Sequence, residues 1–226
     1  MTNTELIEET IVFVKKTLQH AEGGHDWFHI QRVFNNTLFI AKDEKVDVLV
    51  VSLGALLHDI ADAKFYNGDE TIGPKMATDF LSSLRVPKKT ISHVVKIIEN
   101  ISFKSNLNNG KTKKNRFNSL ELQVVQDADR LDAIGAIGIA RAFNYGGFKN
   151  RELYNPDIIP NLNLTKAEYK KSTSPTINHF YEKLLLLKDK MNTKTGKKLA
   201  EERHQYMLDY LEQFYKEWSP LAVKTQ

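Results

Sequence analysis

His58-Asp59 follows directly on the apolar run Val48-Leu49-Val50-Val51-Ser52-Leu53-Gly54-Ala55-Leu56-Leu57. An imidazole beside a carboxylate is a neutral nitrogen donor beside an anionic oxygen donor. In apolar surroundings an unpaired carboxylate costs several kcal/mol, and a divalent cation turns that cost into binding energy. Two further polar interruptions break apolar helical patterns: His29 in His29-Ile30-Gln31-Arg32-Val33, and the acidic segment Asp127-Ala128-Asp129-Arg130-Leu131-Asp132. Two histidines and two carboxylates form a mixed nitrogen and oxygen set. It suits Mn²⁺, Fe²⁺, Co²⁺, Ni²⁺ or Zn²⁺, and Mg²⁺ less well. Four protein donors on an octahedral ion leave two positions, for a water and a substrate oxygen, and water acidified there is a nucleophile. Spacing alone leaves open which of Asp127, Asp129 and Asp132 is the donor.

Helices must position these groups. Apolar residues at Leu6, Ile7, Ile11, Phe13, Val14 and Leu18 predict a helix over about 3–20. A second is predicted over 27–43, with Ile30, Val33, Phe34, Thr37, Leu38 and Ala41 turned inward. The third, over 47–60, is apolar nearly all round, which marks the centre of a bundle. His58 and Asp59 lie about 100° apart around it, so they reach one ion only near its end, where the chain leaves the core. Gly54 and Ala55, one turn earlier, allow close approach of a neighbouring helix. Further helices are predicted near 70–84, 88–99, 119–143, 174–188 and 195–218, the fifth opened by Pro87. No strand-like alternation of useful length appears, so the fold class is all-α. The segment 104–118 is polar, carries five cations and reads as a loop, and 145–165, with Gly146, Gly147, Pro156 and Pro160, reads as a connection.

The chain has 226 residues, enough for a core in one domain, and no cysteine, so neither disulfides nor thiolate metal sites arise. Its acidic, amphipathic start is unlike a signal peptide, and no apolar run reaches membrane-spanning length. A cytoplasmic protein with no membrane partner is expected. A net charge of +4 suits an anionic substrate and is too small to argue nucleic-acid binding. Phe117 is the single aromatic beside the cations of 111–116, so nucleic acid is not an expected partner.

In order, His29, then His58-Asp59, then Asp129, each in its local context, the chain resembles the HD superfamily of metal-dependent phosphohydrolases, and in particular its small single-domain bacterial members. The resemblance is clearest over 24–145. It implies a helical HD bundle spanning 1–226 as one domain, with a C-terminal helical hairpin near 165–220. It also implies one divalent ion, Mn²⁺ first among the candidates, held by His29, His58, Asp59 and Asp129. Asp129 is selected because the family's last aspartate precedes a basic residue and a leucine, which leaves Asp127 a supporting role. Asp62, three residues after Asp59, is either a general acid or base or a helix-end cap. A binuclear site needs further histidines between His58 and Asp129, and His93 is the one histidine there. That favours one metal, with His93 a polar wall residue or a satisfied helix histidine; the role of His25 stays open.

Phosphate needs cations near the ion. Arg130, which follows the last ligand, and Arg141 are the first candidates, ahead of Lys64 and Lys104. His179 and Lys183, four apart on a predicted C-terminal helix, complete the set. A nucleotide is the implied substrate. Pyrophosphate release from a nucleoside triphosphate is the leading reaction. Nucleotidase and cyclic-nucleotide or alarmone phosphodiesterase activities are the alternatives. Two non-enzyme readings remain: a metal-bound nucleotide sensor, and a helical protein that binds partners or nucleic acid through 104–116. The sequence says nothing of oligomeric state.

Overall fold

A computed structural model of the chain describes residues 1–21, 24–61, 69–101, 117–165, 168 and 172–219. Every regular element among them is helical, as the all-α reading requires. None of the described helices is long and apolar enough to cross a membrane. The chain divides into two compact units, residues 1–129 and 130–226.

The first unit is built around α3 (Val48–Leu57), whose residues Val50 through Leu57 are all buried. Asp47 caps it by accepting hydrogen bonds from the Leu49 and Val50 amides. α1 (Asn3–Thr17), α2 (Trp27–Ala41) and α5 (Lys88–Asn100) pack against α3, and α4 (Ile72–Ser83) packs on α5. A capping box between Thr2 and Glu5 starts α1, and Phe13 of α1 stacks on Phe80 of α4 with ring centroids 4.0 Å apart. Close approach at Gly54 is real: a Cβ there would lie 3.2 Å from two side-chain carbons of Ile97 on α5. α6 (Leu120–Asp132) adds Leu122, Val124, Val125 and Ala128 to the core.

One helix predicted over 119–143 is instead two, α6 and α7 (Gly135–Phe148). The last turn of α6 tightens: the Ala133 and Ile134 amides reach back three residues, to the carbonyls of Arg130 and Leu131. Ile134 is then extended, and Gly135 takes φ +75°, a conformation that favours glycine. Apolar periodicity runs through this break because both helices bury one face, so sequence pattern alone does not reveal it. α7 also continues to Phe148, so the connection starts later than Tyr145.

In the second unit, α7 packs against α8 (Thr176–Glu182) and the long α9 (Lys194–Trp218). The helix predicted to run to 188 stops at Glu182; Lys183 leaves helical geometry and Leu184, in the 3₁₀ turn that follows, is buried. Phe180 stacks on Tyr210, and Tyr154 packs against Phe214, Tyr215 and Trp218.

Candidate metal centre

Asp26 caps α2 by accepting the backbone N–H of His29 at 3.0 Å, which sets His29 in the first turn of the helix. His58 is the residue on which α3 ends, and Asp59 follows it in the turn. These two helix ends bring His29, His58 and Asp59 together, with one donor atom of each lying within 4.8 Å of the others. It is the one group of three or more such residues among those described.

Asp129 reaches the same place from α6, its Oδ1 standing 3.6 Å from Nε2 of His29 and 3.9 Å from Nε2 of His58. Both gaps exceed hydrogen-bond length. Donors held about 2.1 Å from a shared ion stand on the order of 3–3.5 Å apart, so the spacing is close to that of a ligand set. Burial agrees, since the histidine side chains are 2% and 4% exposed. His58 Nδ1 lies 2.8 Å from the Ala55 carbonyl. That oxygen only accepts, so Nδ1 carries the proton and Nε2 presents its lone pair to the cluster.

Asp59 is bonded to His25, whose Nδ1 lies 2.5 Å from Oδ2. Burial works to raise the Asp59 pKa, but the His25 hydrogen bond and the positive fields of His58, His25 and His29 prevail and hold it down to about 2. An ionised carboxylate among two buried imidazoles is a donor set for a divalent cation, and the residues present fit one.

The other predicted residues fall as follows. Asp62, Lys64 and Lys104 lie outside the described residues. Arg130, Arg141, His179 and Lys183 belong to the second unit. Arg130 donates to the Lys190 carbonyl at 2.6 Å. Arg141 donates to Oδ2 of buried Asp132 at 2.6 Å and to its carbonyl at 3.1 Å. Arg141 stands on α7 and Asp129 on α6, so the two do not share a helix. His179 sits on α8, and Lys183 lies one residue past its end. Burial, then the charges of Lys183 and Arg151, push the His179 imidazole down to about 3. Asp127 is completely buried. His93 lies apart from the cluster, bonded to Ser119 Oγ at 2.9 Å with Glu121 at 3.5 Å.

Sequence reasoning missed two supports. His25 bonds Asp59, and Asn36, two turns beyond His29 on α2, donates to the Ala128 carbonyl beside Asp129. The seven-residue spacing from His29 to Asn36 was a readable signal for the second. Nothing local signals the first, whose partners are 34 residues apart.

The HD domain family matches residues 27–134, which contain His29, His58, Asp59 and Asp129. An HD-superfamily hydrolase from Bacillus thuringiensis is 44% identical, with a TM-score of 0.76 over 96% of this chain and 99% of that one. YpgQ of Bacillus subtilis is 37% identical over 96% of both chains. Its crystal structure in complex with ADP matches with a TM-score of 0.74 over 96% of this chain and 97% of that one. The chain therefore belongs to the HD superfamily and is a metal-dependent phosphohydrolase.

Proposed function

We propose that the enzyme is a nucleoside triphosphate pyrophosphohydrolase working with a single Mn²⁺ held by His29, His58, Asp59 and Asp129. The observation that carries the nucleotide is the ADP complex of the Bacillus subtilis relative. ADP keeps the α- and β-phosphates that flank the bond in question. When bound, the ion supplies an acidified water and neutralises charge developing on the phosphoryl group.

The chain's own groups do the rest. The Ala55 carbonyl fixes the His58 tautomer, so this ligand needs no proton rearrangement to bind. His29 is fixed at the α2 N-terminus, and Asp129, with its side chain 38% exposed, marks the open side of the cluster. Attack of a water oxygen at the α-phosphorus breaks its bond to the bridging oxygen and releases pyrophosphate and a nucleoside monophosphate. Pyrophosphate leaves more readily than a nucleoside alkoxide, so this cleavage asks little of a general acid. Arg130, the residue after Asp129, is the proposed contact for the departing phosphates on the strength of that position. Arg141, His179 and Lys183 are further proposed substrate contacts.

The test is a panel of nucleoside triphosphates, monophosphates and cyclic nucleotides with Mn²⁺, Co²⁺, Ni²⁺ and Mg²⁺. Pyrophosphate is expected as the first product from triphosphates, with none from His58→Ala. Orthophosphate as first product, or faster turnover of monophosphates, makes the enzyme a nucleotidase. Turnover confined to cyclic substrates makes it a phosphodiesterase.

A further inference from the structure

We propose that His25 is a positioning residue that makes Asp59 a one-oxygen ligand and sets the affinity of the site for its metal. The proposal rests on the ligand assignment given above. An ionised carboxylate can only accept, so Nδ1 of His25 is the donor in the 2.5 Å contact to Asp59 Oδ2. That hydrogen bond occupies one lone pair of Oδ2 and, on this proposal, favours Oδ1 as the oxygen that turns to the ion. The arrangement parallels His58, whose Nδ1 is committed to the Ala55 carbonyl so that Nε2 points inward. Each member of the His58-Asp59 pair is thus held from behind by a group that is itself no ligand.

The position of His25 follows from its neighbours. It directly precedes Asp26, the cap of α2, and its ring meets the His29 ring edge-on with centroids 6.0 Å apart. One short turn therefore delivers the ligand His29 to the site and the support His25 to Asp59. The bond ties the start of α2 to the residue just past the end of α3, holding two ligand-bearing helix ends in register before any ion arrives. Partners that support metal ligands in this way are worth about 10–100-fold in metal affinity.

The test compares His25→Ala, His25→Asn and His58→Ala in the full chain. The readouts are Mn²⁺ affinity by titration calorimetry, the melting temperature of the metal-free protein, and kcat and KM for a triphosphate. An asparagine amide can reproduce the donor at Nδ1 and nothing else of the imidazole. His25→Ala is expected to weaken Mn²⁺ binding about 10–100-fold and to lower the metal-free melting temperature, since the bond to Asp59 is present before the ion. His25→Asn is expected to recover most of that affinity. At saturating Mn²⁺ the loss should appear in kcat more than in KM. Wild-type Mn²⁺ affinity in His25→Ala overturns the proposal, as does an asparagine variant as weak as the alanine one. If His58→Ala itself keeps wild-type affinity, the ligand assignment fails instead, so the two failures are distinct.

Discussion

His29 and His58 are histidines buried within a helical core. An imidazole inside a helical core forgoes water, and these two do so facing each other, with ring centroids 5.4 Å apart. The proposed cation, shared through Nε2, would account for both. The fourth ligand is the assignment most worth testing, because Asp127 and Asp129 lie two residues apart and therefore about 200° apart around α6. Asp129→Asn is expected to lower Mn²⁺ affinity by more than the roughly 10–100-fold that a supporting partner costs. Asp127→Asn is expected to keep the ion but to lose about 1–3 kcal/mol of stability, since its buried carboxylate is replaced by a weaker acceptor. Calorimetric titration and urea unfolding of both variants check this; loss of the ion in the Asp127 variant alone would exchange their roles. His179 offers a separate test through pH. Its folded pKa is pushed down to about 3, by burial first and then by Lys183 and Arg151. The unfolded chain binds a proton near the ordinary histidine value of about 6.5. Below that pH the unfolded state takes up a proton that the folded state refuses, so stability falls as pH drops from about 6.5 toward 3, by at most about 1.4 kcal/mol per unit. In His179→Gln this part of the slope should vanish. Parallel urea midpoints for variant and wild type at pH 7, 5.5 and 4 would rule the effect out.

Helix ends, more than helix middles, build this enzyme. His29 is in the first turn of α2, and His58-Asp59 stand where α3 stops. A side chain at an end can be directed by a cap or a turn, whereas one in the middle is bound to the helical repeat. The break between α6 and α7 has the same character. There Gly135 holds φ +75°, and a Cβ on it would lie 3.0 Å from Cβ and Cγ of Arg203. Gly135→Ala is expected to cost about 1–3 kcal/mol from backbone strain, plus the shift imposed on Arg203. A fall in urea midpoint with Mn²⁺ affinity nearly intact is the expected result, because the ligands precede the break. An unchanged midpoint would show that the turn relaxes freely.

The four proposed metal ligands all lie within residues 1–129, while α7, α8 and α9 belong to the second unit. Ligand binding stabilises whatever unfolds cooperatively with the site that holds the ligand. Chelation of Mn²⁺ is therefore expected to remove about 2.7 kcal/mol of stability when the ion had been present at 100 times its Kd. By hydrogen exchange the loss of protection should concentrate in the first turn of α2, the end of α3 and the Asp129 region of α6. Equal deprotection of α9 would show that the ion stabilises both units together.

Sequence by itself determined the chemistry and the class of fold. A His-Asp pair ending an apolar run, with a histidine before it and an aspartate after it, carries the HD pattern and a donor set that suits a cation. Periodicity of apolar residues determined that helices carry these groups, because one buried face recurs every three to four residues. Only the tertiary structure decided what supports the ligands and where helices stop. The His25–Asp59 bond joins residues 34 apart, and local spacing holds no record of such a contact. The end of α6 turns on backbone geometry at Ile134 and Gly135, which leaves the apolar repeat uninterrupted. Periodicity records which face is buried; packing decides what that face meets.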